Sequence, residues 1–237
     1  MRDRGAGTEA RAHWSRARRP RVGGPPGPGA VQRVLAGVAG VAVAAALLVT
    51  PARGQERVIV ALGDSLTAGF GVAAEEAWPA LVDARLRREG RPYRVVNAGM
   101  SGDTTAGGLR RVDWVLRSQP EIAIVALGAN DGLRALPVDA MRANLLAIVE
   151  RLRAAGARVL LAGMEVPPNY GAAYVRAFRA VFPEVARRTG AVLLPFLLEG
   201  VAADPRLNLP DGLHPNAAGH RVIADHVWRA LAPMLRP

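Results

Sequence analysis

The sequence predicts an α/β protein, a three-layer α/β/α sandwich around a five-stranded parallel sheet. Three observations predict it. From Arg57 onward, short runs nearly continuous in Val, Ile, Leu and Ala alternate with longer segments of helical period. The runs lack the apolar–polar alternation of a half-solvated sheet, so both their faces must be covered. No internal repeat is visible, and a stretch of roughly 180 residues suits one such domain.

The elements follow in order. The strand runs are "RVIVALG" (57–63), "YRVVNAG" (93–99), "EIAIVALG" (121–128), "ARVLLAG" (157–163) and "AVLLPF" (191–196). Helical segments lie at 77–90, 104–119, 137–156, 172–190 and 216–235. The third is the clearest: Met141, Leu145, Ile148, Val149 and Leu152 share one stripe, with Pro137 opening it and Gly156 closing it. Alternation of this kind requires right-handed crossovers, which bring the carboxyl ends of all strands to one edge.

Residues 1–54 read as a leader. The first 34 are rich in Arg, Gly and Pro without periodicity, a composition expected to be disordered. The apolar stretch Val34–Val49 is sixteen residues long, marginal for spanning a bilayer core, and small residues follow at Thr50, Ala52 and Gly54. A basic start, a short apolar middle and a small-residue end describe a secretory signal peptide, with cleavage after Ala52 or Gly54. The expected location is periplasmic or secreted, with an uncleaved anchor and a translation start near Val31 as open alternatives. The domain proper is then 55–237.

The net charge of +11 is unevenly spread. Residues 1–54 carry +7 and the rest only +4, so the folded part has little excess for phosphates, and no nucleic-acid partner is expected. Membrane contact is expected only through the leader, and the protein is expected to be a monomer. The chain has no cysteine, which excludes disulfides, thiolate metal sites and cysteine nucleophiles.

Polar signatures follow three of the runs: "GDSLTAG", "NAGMSGDTT" and "GANDGLR". A fourth, "DGLHPNAAG" (211–219), precedes the last helix. All four fall on the shared edge. Serine needs a neighbouring base to become a nucleophile. His214 is the best candidate, because Asp211 three residues earlier can receive one imidazole N–H and leave the other nitrogen facing Ser65. Ser65 is the candidate nucleophile, His214 the general base and then acid, and Asp211 the orienter. Donors for a developing oxyanion are the Ser65 backbone N–H, Gly102 and the side-chain amide of Asn130.

These residues resemble the four blocks of the SGNH (GDSL) hydrolases: "GDSL" at 63–66, Gly102 in "NAGMSGDTT", Asn130 in "GAND", and "DGLH" at 211–214. The resemblance covers 57–235 and is nearest to the periplasmic thioesterase/lysophospholipase/arylesterase group. It implies a flavodoxin-like sheet in the order 2-1-3-4-5. It also implies metal-free hydrolysis of carboxylic esters or thioesters through an acyl-serine, with a small acyl ester or lysophospholipid as substrate and no cofactor. Ala129 departs from the pattern, since many relatives carry Gly before the Asn.

Other assignments of these residues are weaker. Asp64, Asp103 and Asp131 are expected to hold loops through backbone N–H groups rather than act in catalysis. His220 and His226 fall in the last helix as packed or solvated residues. A metal held by Asp211 and His214 would have only two ligands. Ser65 and Ser101 both lack the G-x-S-x-G context of an α/β-hydrolase elbow, and 99–108 contains no nucleotide-binding pattern. The segment around Asn169 and Tyr170 is expected to line an acyl pocket. The remaining alternative is a non-catalytic carbohydrate- or lipid-binding module on the same fold.

Overall fold

Strands β1 (Arg57–Gly63), β2 (Tyr93–Gly99), β3 (Ile122–Ala126), β4 (Arg158–Ala162) and β5 (Val192–Leu194) form one parallel sheet in the order β2-β1-β3-β4-β5. This is the order the family resemblance implied. The computed structural model describes residues 56–236, and the leader and signal segment read from 1–54 lie outside the described residues.

The central runs become strands because Val, Ile and Leu fit a pleated surface buried on both faces, whereas the edge strand β2 is only partly covered, with Arg94 and Asn97 exposed. All five residues of β3 are buried, as are the last five of β1. β5 is shorter than its sequence run. Pro195 follows it directly and has no N–H to continue the ladder, and at this sheet edge Val192 is 42% exposed.

Two helical layers cover the sheet. On one side α3 (Thr105–Leu116) packs on α5 (Val138–Ala154), and α5 on α6 (Ala172–Thr189); on the other, α2 (Trp78–Arg88) packs on α7 (Ala217–Leu231). The stripe read from the sequence, Met141, Leu145, Ile148, Val149 and Leu152, supplies the buried residues of α5. Each fully buried Leu or Ile in such a core contributes about 1.5–3 kcal/mol of transfer free energy.

Register positions the site. Gly63, Gly99 and Ala126 are aligned across β1, β2 and β3, so these three strands end level. The chain steps outward from β1 to β2 and then crosses back past β1 to β3, and an open α/β sheet has its crevice at such a reversal, here between β1 and β3. Two short helices at this edge, α1 (Ser65–Ala68) and α4 (Ala129–Leu133), are too brief to have a readable period.

Candidate active site

At the end of β1 the chain turns at once into α1. Gly63 permits it: a Cβ there would lie 2.0 Å from Thr67 Oγ1 and 2.9 Å from the Ala126 carbonyl oxygen. Asp64 caps the turn by accepting the Leu66 N–H at 3.0 Å, and Gly69 closes it at φ +83°. Ser65 is the first residue of this helix, with only 9% of its surface exposed.

Asp211 and His214 stand in the loop between β5 and α7. Asp211 Oδ1 accepts the backbone N–H groups of Leu213 (2.9 Å) and His214 (3.0 Å), while Oδ2 lies 2.7 Å from His214 Nδ1. The His214 N–H, then the Leu213 N–H and the imidazole, hold the Asp211 carboxyl down at about 2. It is therefore ionised at neutral pH, and Nδ1 must carry the proton it shares with Asp211. That leaves the lone pair on Nε2, 3.0 Å from Ser65 Oγ. The loop is fixed at both ends: Leu209 N–H donates to the His214 carbonyl at 2.7 Å, and Asn216 caps α7 while donating to the Arg206 and Asn208 carbonyls. Residues 149 apart in sequence are thus brought to hydrogen-bonding distance.

Asn130 lies in α4, whose N-cap Gly128 has φ +118°. Its Nδ2 donates to Asp64 Oδ2 at 3.3 Å. Asp64 is fully buried, and burial pushes its carboxyl up to about 6 against the opposing pull of the Leu66 and Asn130 donors. Gly102 sits in the loop after β2 at φ +80°, a conformation that favours glycine, and its carbonyl accepts from Arg134 Nη2 at 3.0 Å.

Ser65, Asn130 and His214 open on a cleft of about 370 Å³. Its walls are apolar, with Leu66, Leu133, Val166, Phe196, Leu198 and Leu213 prominent, and its one carboxylate, Glu165, is paired with Arg179 at 3.1 Å. Pro167 and Pro168 line the cleft, whereas Asn169 and Tyr170 do not. The 3₁₀ turn Pro168–Tyr170 instead brings the Tyr170 hydroxyl to the Leu133 carbonyl at 2.9 Å, so this residue braces a wall from behind. Ala129, the departure from the family pattern, is a lining residue.

Three of the remaining polar candidates have structural partners. Asp131 accepts the Thr105 N–H (2.8 Å) and hydroxyl (2.6 Å), the loop-holding role expected of it. Asp103 differs from expectation, since its partner is the Arg111 side chain and not a backbone N–H. His220 is buried, with Nδ1 accepting the Trp78 N–H at 3.3 Å. Phe70, which no sequence signal marks, sets its ring 4.6 Å from that of His214.

Residues 61–222 match the model of the GDSL-like lipase/acylhydrolase family. The chain belongs to this family. The matched span runs from β1 into α7 and takes in every element that carries Ser65, Gly102, Asn130, Asp211 and His214. This GDSL family member is 40% identical over 191 residues to Esterase TesA of Pseudomonas aeruginosa, covering 80% of this chain and 95% of that protein. It is 39% identical over 178 residues to Thioesterase 1/protease 1/lysophospholipase L1 of Escherichia coli, covering 75% and 84%. The crystal structure of the psychrotrophic esterase EstA from Pseudoalteromonas sp., inhibited by monoethylphosphonate, aligns with a TM-score of 0.72 at 36% identity, over 75% of this chain and 98% of that one.

Proposed function

We propose that this carboxylic ester hydrolase works through an acyl-serine intermediate formed on Ser65. The observation that carries the reading is the pair of contacts on one imidazole, Nε2 to Ser65 Oγ at 3.0 Å and Nδ1 to Asp211 at 2.7 Å.

Ser65 Oγ attacks the acyl carbonyl carbon as its proton passes to His214 Nε2, and Asp211 stabilises the imidazolium. The oxyanion is met by the Ser65 and Gly102 backbone N–H groups and Asn130 Nδ2, each worth about 3–4 kcal/mol in the transition state. His214 then protonates the departing alkoxide or thiolate, leaving the acyl group on Ser65. In the second half His214 deprotonates a water, which attacks the acyl-serine and releases the acid and the restored hydroxyl.

The apolar cleft suits an acyl group; its lining residues Leu133 and Leu213 are 39% and 48% exposed, and Phe70, beside His214, is 49% exposed. With relatives named esterase, arylesterase, thioesterase and lysophospholipase, the substrates are aryl esters, acyl thioesters and lysophospholipids. The signal-like segment 34–54 supports export to the periplasm or medium.

Hydrolysis of p-nitrophenyl butyrate by the native protein and by Ser65→Ala tests this reading. The variant should lose at least about a thousandfold in kcat. A serine-directed phosphonate should leave its mass adduct on Ser65. Equal turnover by the two proteins, or labelling elsewhere, would mean a binding module or a different nucleophile.

A further inference from the structure

We infer that Arg111 is a positioning residue that locks the Ser65 turn and the Gly102 loop together. The inference rests on the reading of Ser65 as nucleophile and Gly102 as oxyanion donor.

Arg111 lies on α3, beneath the rim. Its Nε donates to Asp103 Oδ2 at 2.7 Å, Nη1 to the Ala98 carbonyl at 2.7 Å, and Nη2 to the Gly63 carbonyl at 2.8 Å. One donor from each guanidinium nitrogen is used, in a single rigid plane that a lysine ammonium cannot reproduce. Both side chains of the pair are largely withdrawn from water, at 14% and 7% exposure.

The anchors flank the two oxyanion-facing segments. Gly63 ends β1 two residues before Ser65, and Ala98 is the penultimate residue of β2, four before Gly102. Asp103 directly follows Gly102. The Gly63 carbonyl also accepts the Met100 N–H at 3.0 Å, so both loops meet at one oxygen. The helix itself is shaped around the pair: a Cβ on Gly107 would lie 1.6 Å from Asp103 Oδ1. Glycine inside a helix is unfavourable by about 1 kcal/mol relative to alanine, and here it makes room for a carboxylate. An ion pair needed only for stability could be replaced by packed apolar groups. This one fixes the two peptide segments whose N–H groups would face the oxyanion.

Misaimed donors weaken the transition state more than the ground state, so kcat should suffer and KM should not. The test compares full-length Arg111→Lys, Arg111→Gln and Asp103→Asn with native protein, using p-nitrophenyl butyrate for kcat and KM. Phenylboronic acid, which forms a tetrahedral adduct on a serine, supplies an inhibition constant, and circular dichroism a melting temperature. We expect kcat to fall by about 10- to 100-fold with KM held within about threefold, in variants still folded at assay temperature. The boronate constant should rise by the factor that kcat/KM loses. A folded Arg111→Lys or Asp103→Asn within about twofold of native kcat/KM would overturn the inference. So would a rate loss that leaves boronate binding unchanged. If Arg111→Gln does not fold, Asp103→Asn decides, because it keeps the shape and removes the charge. Undiminished turnover by Ser65→Ala would instead overturn the catalytic reading itself.

Discussion

Asp64 Oδ2 accepts a hydrogen bond from Asn130 Nδ2 at 3.3 Å, immediately ahead of Ser65. A carboxylate can only accept, so it selects the amide face that Asn130 turns toward it and leaves the second N–H of that nitrogen for the cleft. The ionised carboxyl is costly there, because it is fully buried.

Asp64→Asn should therefore separate stability from activity. The folded carboxyl titrates at about 6 against an ordinary 3.8. Between those values the folded state binds more protons than the unfolded, so the contribution of Asp64 to stability falls as pH rises through pH 4–6. The amide should remove that slope and raise stability at pH 7 by up to about 3 kcal/mol. Its own NH₂ would face Asn130 Nδ2, forcing that amide to flip and withdraw its donor. A drop in kcat of about 100-fold is expected, measured beside urea denaturation at pH 4 and 7.

His220 should give the opposite pH signature. It caps α2, whose N-cap Ala77 supplies no side-chain acceptor. Burial lowers its imidazole to about 4 from 6.5. The unfolded state binds more protons across that interval, so this contribution is lost as pH falls from 6.5 to 4. Asparagine can keep an acceptor for the Trp78 N–H without titrating. In His220→Asn the melting temperature should fall less than in native protein between pH 6.5 and 4, and a steeper fall would refute the assignment.

Gly99→Ala should disturb the Ser65 turn from its neighbour strand. The added Cβ would lie 2.2 Å from Ala68 N and 2.6 Å from its Cα, backbone atoms of α1 that no rotamer change can move aside. Overpacking of this kind costs about 1–3 kcal/mol. Urea unfolding should register that loss. Reactivity toward the phosphonate should fall more than the loss of folded protein explains.

Ala202→Phe should shorten the cleft. Ala202 is one of its small lining residues. The ring would occupy space that a long acyl chain needs and a butyryl group does not. KM for p-nitrophenyl decanoate should rise by about tenfold relative to the butyrate ester, with kcat on butyrate little changed. Equal effects on both esters would place the acyl chain elsewhere.

Much of this molecule is legible in its residue order. Runs of Val, Ile and Leu declared the three central strands because burial on both faces leaves a near-continuous apolar pattern, and the edge strands β2 and β5 share that composition although each is partly exposed. The stripe of α5 did the same through its 3.6-residue period. Ser65, Asp211 and His214 stood out as candidates because the chemistry proposed for them demands those side chains. The short helices α1 and α4 gave no such signal: four and five residues complete little more than one turn, and their starts depend on the Asp64 cap and the positive φ of Gly128.

Other features belong to the tertiary structure alone. Arg111 on a helix reads like any solvated cation, and only the packing of α3 beneath β1 and β2 carries its guanidinium to two strand ends. The adjacent Gly107 and Gly108, poor helix formers, were the one clue that something had to come close. Asn169 and Tyr170 were expected to line an acyl pocket, yet the neighbouring Pro167 and Pro168 line the cleft, because a 3₁₀ turn rotates the segment by an amount no composition encodes. Local pattern determines which groups a chain can offer. The meeting of Ser65 with His214 comes from strand register and crossover hand, which are properties of the folded sheet.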